Sequence, residues 1–145
     1  KVLITAAYAH DWGYIGLFNQ VDSNSFAIIK TRKKLHMKIG SSKIEQLIYS
    51  RLAKQFTLQE VLEISHLVLF HDEIEKLKSE AEILLMEADT LGMLDISRIK
   101  PSFSKKDNDH FLKTGIYERR LPKFKHKYAL ELAKKMAQER AKQYV

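Results

Sequence analysis

Five side chains carry the chemistry that this sequence offers: His10, Asp11, His36, His71 and Asp89. The chain has no cysteine, so a metal ion must be held by imidazole nitrogens and carboxylate oxygens. That donor set suits Fe or Mn, with Co, Ni and Zn as further options. A carboxylate such as Asp11 can bridge two cations, and a hydroxide held between them is a nucleophile at neutral pH because coordination lowers the pKa of water to about 7. Hydrolysis of a phosphate ester is the reaction such a pair favours. Asp89 follows the apolar run of residues 83–86 and is expected to be partly buried, where an unpaired carboxylate is costly and must meet a cation or donors.

Helices must position these groups. Residues 2–9 are an unbroken apolar segment that stops at His10-Asp11, and Ala6, Ala7 and Ala9 mark it as the end of a buried helix rather than a strand. Residues 12–24 carry Gly13, Gly16, Asn19, Asp22, Ser23 and Asn24 and read as a loop. Leu35, Ile39, Ile44, Leu47, Ile48 and Leu52 predict a helix over residues 34–54, with His36 near its start. Thr57 with Glu60 is a capping-box pattern opening a third, largely buried helix that ends at His71. Residues 83–94 predict a fourth helix, which holds Asp89. Residues 95–127 are irregular in pattern, anchored by Phe103, Phe111, Leu112, Ile116, Tyr117 and Phe124, and residues 128–144 close the chain as an amphipathic helix. Strand signals are weak throughout, apart from the short Phe26-Ala27-Ile28-Ile29. The expected fold class is all-α, a compact helical bundle whose antiparallel neighbours bring the five side chains to one point.

At this level the sequence resembles a known family. Ala6-Ala7-Tyr8-Ala9-His10-Asp11-Trp12-Gly13-Tyr14 resembles the AA-x-x-HD-x-G signature of the HD-domain superfamily of metal-dependent phosphohydrolases. His36-Met37-Lys38-Ile39-Gly40 is similar to the H-x-x-x-G of its dinuclear members, residues 64–72 to their I-x-x-x-I-x-x-H-[DE], and Ala88-Asp89-Thr90-Leu91 to their AD-x-L. The resemblance covers residues 2–99, with four motifs in order. It implies two divalent ions: His10, Asp11 and Asp89 bind the first, His36 and His71 the second, and Asp11 bridges. The intervals of 26, 35 and 18 residues between His10, His36, His71 and Asp89 suit helix-plus-loop units. Asp11 and Asp89 are then the catalytic pair that holds and polarises metal-bound solvent, and the implied substrate is a nucleotide or another small phosphate ester.

Two positions depart from the family. Its ligand set begins with a His on a helix before the HD pair, and no residue before His10 supplies one, so the expectation is a single HD-type domain over residues 1–145 that lacks its N-terminal helix. Tyr14 stands where many family hydrolases carry a Lys or His near the substrate phosphate; a tyrosine donates a hydrogen bond without adding charge. Arg32, Lys33 or Lys34 beside His36, or Arg98 and Lys100 after the fourth helix, are the cations expected to meet the phosphate. The Gly-Tyr-Pro extension of cyclic-dinucleotide phosphodiesterases is absent after His71, which argues against that branch. The same ligand order also serves HD-fold di-iron oxygenases, and an incomplete first site would leave a binding or regulatory module.

Composition bounds these readings. The net charge of +7 is concentrated from Lys100 onward, where 13 basic residues face 5 acidic ones; residues 100–145 are expected to be a basic extension packed on the domain. No stacking platform or base-reading helix stands out, which weighs against nucleic acid. No apolar run reaches the roughly 18 residues of a membrane span and no secretory leader is visible, so the expectation is cytoplasmic, without a membrane partner. His66 and His71 differ by roughly 140° around a helix axis, so His71 is preferred as ligand and His66 as a core or supporting residue. Asp72, Glu73 and Glu75 read as a solvated acidic turn, one of which could orient a ligand imidazole. The basic run of residues 119–127 reads as a solvated loop, and His110 and His126 as residues without a metal role.

Overall fold

Helix α1 spans Val2–Ala9. Ala6 and Ala9 are buried in the core, while Ile4 and Tyr8 are exposed, so this apolar helix is buried on one side and not throughout as its composition predicts. The computed structural model describes residues 1–17, 26–98 and 104–143; Asn19, Asp22, Ser23 and Asn24 of the expected loop, the anchor Phe103 and Tyr144 lie outside them.

A 3-10 turn at Trp12–Tyr14 follows α1, and α2 then runs Phe26–Leu47 before continuing as π-helical turns over Ile48–Leu52. This helix begins eight residues before its predicted start at residue 34, and the one stretch with a strand signal is its first turn. The polar run Thr31-Arg32-Lys33-Lys34 interrupts the apolar period without any Gly or Pro to stop the helix.

Two capping boxes set the starts of the next helices. For α3 (Leu58–Phe70), the Glu60 backbone N–H donates to Thr57 Oγ1 at 3.2 Å and the Thr57 N–H donates to the Glu60 carboxylate at 2.8 Å. For α4 (Glu80–Leu94), Ser79 and Glu82 exchange the same bonds at 3.2 and 2.7 Å. The caps thereby phase His71 and Asp89 along their helices. Along α3, Val61, Ile64, Leu67 and Val68 are buried, but Leu58 and Leu62 face solvent, so it is half buried rather than largely buried.

Residues 95–127 are mostly helical rather than irregular. Helix α5 (Lys105–His110) passes directly into π-helical turns over Phe111–Arg120, a 3-10 turn at Leu121–Lys123 and then α6 (Lys127–Lys142). Phe111, Ile116 and Leu121 recur every five residues, which stacks them when hydrogen bonds run i to i+5 and leaves no 3.6-residue period to read.

Helix α4 lies between two cores. Leu85 joins Ala6, Ala9, Ile44, Ile48, Ile64 and Val68, whereas Leu94 joins Phe111, Leu112, Ile116, Leu121, Ala133 and Ala137. Ile83 and Met86 close a smaller cluster with Ile74 and Leu77. The result is a compact all-α fold, with no strand among the described residues and no helix among them long and apolar enough to cross a membrane.

Candidate metal centre

His10 and His71 are presented by the same local device. Each ends a helix, α1 and α3 respectively, and each Nδ1–H donates to a carbonyl of the last turn, Ala7 at 2.7 Å and Val68 at 2.8 Å. A last-turn carbonyl lacks an intrahelical partner, so the imidazole satisfies it. The bond also fixes the ring's orientation and directs Nε2 outward beyond the helix end as the atom that could ligate.

Helix α2 brings His36 to the same place because two glycines let the turn after α1 lie against it. A Cβ on Gly13 would stand 1.7 Å from the His36 carbonyl oxygen, and one on Gly40 would stand 3.3 Å from the Gly13 nitrogen. The glycine one turn beyond His36 therefore has a packing reason. Tyr14, on the same 3-10 turn, stacks on the His36 ring with centroids 3.9 Å apart and planes 9° apart.

The five predicted ligands converge. His10 Nε2 lies 3.3 Å from Asp11 Oδ2 and 3.3 Å from Asp89 Oδ1. On the other side, Asp11 Oδ1 lies 3.5 Å from His36 Nε2 and 3.7 Å from His71 Nε2. The set divides into two groups that could hold a metal ion, His10–Asp11–Asp89 and Asp11–His36–His71, with the donor atoms of each group all within 4.8 Å of one another. Asp11 belongs to both. His36 and His71 are buried, whereas the Asp11 side chain is 53% exposed, so the cluster opens to solvent at the shared carboxylate.

The charges are strongly coupled. Burial pulls the His10 imidazole down, but hydrogen bonds to Asp11 and Asp89 outweigh it and raise its pKa to about 10. Partial burial opposes ionisation of Asp11, yet His10 and His71 hold its carboxyl well below the usual range. Asp89 is lowered to about 2: burial opposes this, and the charge of Arg120 followed by the His10 hydrogen bond overcomes it. Burial and the adjacent His71 lower His36. Burial, with the carboxylates of Asp11, Asp72 and Asp89, raises Tyr14, which stays a protonated donor.

The predicted phosphate-binding residues are scattered. Tyr14 is at the cluster, and Arg32 is half-buried on α2 one turn before His36. Lys34 is exposed and lines a cleft of about 340 Å³ together with Lys33, Asp72, Glu75 and Arg119. Arg98 is exposed beyond α4, where its charge helps lower Asp95, and no described contact joins it to the cluster. Lys100 lies outside the described residues.

Several expectations are corrected. His66 is exposed on the outer face of α3 and meets Glu82 at 2.8 Å, so it is neither core nor a support for the cluster. Asp72 is not a solvated residue: it receives Lys33 at 3.1 Å and Arg120 at 2.5 Å, and it orients no imidazole through any described bond. Within the basic run, Arg120 is buried and also binds Asp89. Sequence reasoning missed Arg120, because the carboxylates that hold it lie 31 and 48 residues away along the chain and no local pattern marks it. His126 binds the buried carboxylate of Glu87 at 2.7 Å, and neither it nor His110 joins a ligand group among the described residues.

Compared with known proteins, the chain matches no family model, no curated protein and no solved structure.

Proposed function

We propose that this chain is a metal-dependent phosphohydrolase of HD-domain type, acting on a nucleotide or another small phosphate ester. The observation that carries this reading is the position of Asp11, whose two oxygens face two different groups of donors. Three imidazoles and two carboxylates without a thiolate fit two divalent first-row ions, Fe or Mn foremost. His10, Asp11 and Asp89 would hold one ion, and His36, His71 and Asp11 the other. Bound there, a pair of divalent ions supplies acidified water and neutralises the charge of a phosphate ester.

The chain's own residues do the rest. The Nδ1–H bonds to Ala7 and Val68 keep two imidazoles aimed, so little reorganisation accompanies loading. Asp11, half exposed at the mouth, is the ligand nearest to an arriving substrate. Tyr14, stacked on His36, donates its phenolic hydrogen, and Arg32, one turn before His36 on α2, adds positive charge for the phosphate.

The test is anaerobic. Protein purified without chelator is loaded with Mn²⁺ and assayed for phosphate release from a panel of nucleotides and from p-nitrophenyl esters. About two ions per chain with phosphate release that is lost in Asp11→Asn supports the reading. Turnover that survives Asp11→Asn, or a fully loaded protein inactive on every ester, removes it.

A further inference from the structure

Asp89 does not face the cluster alone. Its Oδ1 points to His10, while its Oδ2 accepts a hydrogen bond from Arg120 Nη1 at 2.9 Å. The same Nη1 lies 2.9 Å from Thr90 Oγ1, and Nη2 lies 2.5 Å from Asp72 Oδ1. Asp72 in turn holds Lys33 through its other oxygen at 3.1 Å. One planar guanidinium thus joins α4, which carries Asp89, to the turn after His71. It comes from the π-helical turns over Phe111–Arg120, in the C-terminal unit of residues 104–143.

Arg120 is not placed to bind a substrate. Its side chain is 7% exposed, and its two terminal nitrogens are spent on Asp89, Thr90 and Asp72. Nor is it an ordinary surface pair, because both carboxylates it holds are themselves largely buried, at 9% and 18% exposure. A two-pronged, buried guanidinium fixes direction as well as charge.

We infer that Arg120 is a positioning residue: it engages Asp89 Oδ2 so that Oδ1 alone faces His10 and Asp11, and it thereby sets cation affinity at the His10–Asp11–Asp89 group and not at the Asp11–His36–His71 group. This rests on the two-metal reading above. It also makes the basic C-terminal unit part of the site, since that unit supplies the group that orients a ligand.

The experiment is a Mn²⁺ titration of the full chain, read by calorimetry and by metal content, with the two binding steps assigned through Asp89→Asn and His71→Ala. Arg120→Lys keeps a charge but cannot hold both carboxylates from one plane. It is expected to weaken the step that Asp89→Asn removes by about 10-fold or more, and to leave the other step within about twofold. Equal weakening of both steps, or of neither, overturns the inference. Arg140→Lys is the structural control: Arg140 is equally buried in the same unit but binds Asn108 and the Met93 carbonyl, away from the cluster. It is expected to lower stability with both steps intact, and the same selective loss in Arg140→Lys also overturns the inference. If circular dichroism shows Arg120→Lys unfolded, Asp72→Asn is read instead; it frees one prong of the guanidinium, and the same selective weakening is expected, its absence being the overturning result. Wild-type protein that binds no Mn²⁺ overturns the two-metal reading itself, an outcome visible before any variant is made.

Discussion

His36 Nε2 and His71 Nε2 stand 3.2 Å apart at the buried end of the cluster, and the single oxygen Oδ1 of Asp11 reaches both. Two imidazoles at that distance from different helices, beside a carboxylate, form one donor group, while Oδ2 of the same carboxylate completes the other with His10 and Asp89. Substitutions should therefore sort by group. Asp11→Asn is expected to lose both ions, His71→Ala only the one shared with His36, and Asp89→Asn only the one shared with His10. Each loss should exceed the roughly 10- to 100-fold typical of removing a supporting partner. Metal content per chain after desalting reads all three, and loss of a single ion in Asp11→Asn would show that the carboxylate is not shared.

Glycines 13 and 92 should respond with opposite signs. A Cβ at Gly13 would sit 1.7 Å from the backbone oxygen of His36, so Gly13→Ala must push α2 away from the turn. A cost of about 3 kcal/mol is expected, with loss of metal at the His36 group. At Gly92, inside α4, an added Cβ meets nothing within 4 Å, so Gly92→Ala should stabilise by about 0.5–1 kcal/mol through helix propensity. Thermal melts of the two variants side by side check both directions.

Acid should weaken the start of α4. Burial opposes ionisation of Glu82, but the backbone N–H groups of Lys78 and Ser79 and the His66 ring hold its carboxyl at about 2. A folded pKa below the unfolded value of roughly 4.3 means the contribution is complete above that value and is lost as pH falls toward 2. Glu82→Gln is expected to cost about 1–2 kcal/mol at pH 7, and the gap from wild type should close between about pH 4.3 and 2. Urea unfolding across that range measures it; a gap that persists at the acid end would assign the effect to packing.

The convergence of the five side chains was legible because each sits at a helix end or beside a strong apolar period. The Thr57–Glu60 box phases His71, and the abrupt end of an alanine-rich segment places His10 and Asp11. Arg120 and Asp72 were not legible, because the burial of an ion pair depends on a neighbour 48 residues away and leaves no local pattern. The same holds for the π-helical turns over Phe111–Arg120, whose five-residue recurrence looks irregular to an eye set for 3.6. His66 misled for the converse reason: it lies amid apolar residues in the sequence but on the outer face of α3, where Glu82 receives it.

Loading of the first group should release a proton from His10. Without metal its pKa stands at about 10, raised by Asp11 and Asp89 against the effect of burial, so the ring is cationic at neutral pH. Nδ1 already donates to the Ala7 carbonyl, so the proton in question is on Nε2, the atom that must ligate. A ligand must be deprotonated to bind, and cation affinity at this group is therefore expected to rise about tenfold per pH unit from pH 6 until it flattens near pH 10. His36 is displaced in the opposite direction by burial and by His71, which favours its neutral form. At pH 6, below the pKa of about 7 that metal gives to water, the proton released comes from the protein rather than from solvent. Calorimetry in two buffers of different ionisation enthalpy counts that proton directly. Release of about one proton at pH 6 in His71→Ala, which keeps the first group alone, is the expected pattern. Binding that releases none, with an affinity flat from pH 6 to 9, would mean that His10 is already neutral and that the two carboxylates do not act on it as their positions imply.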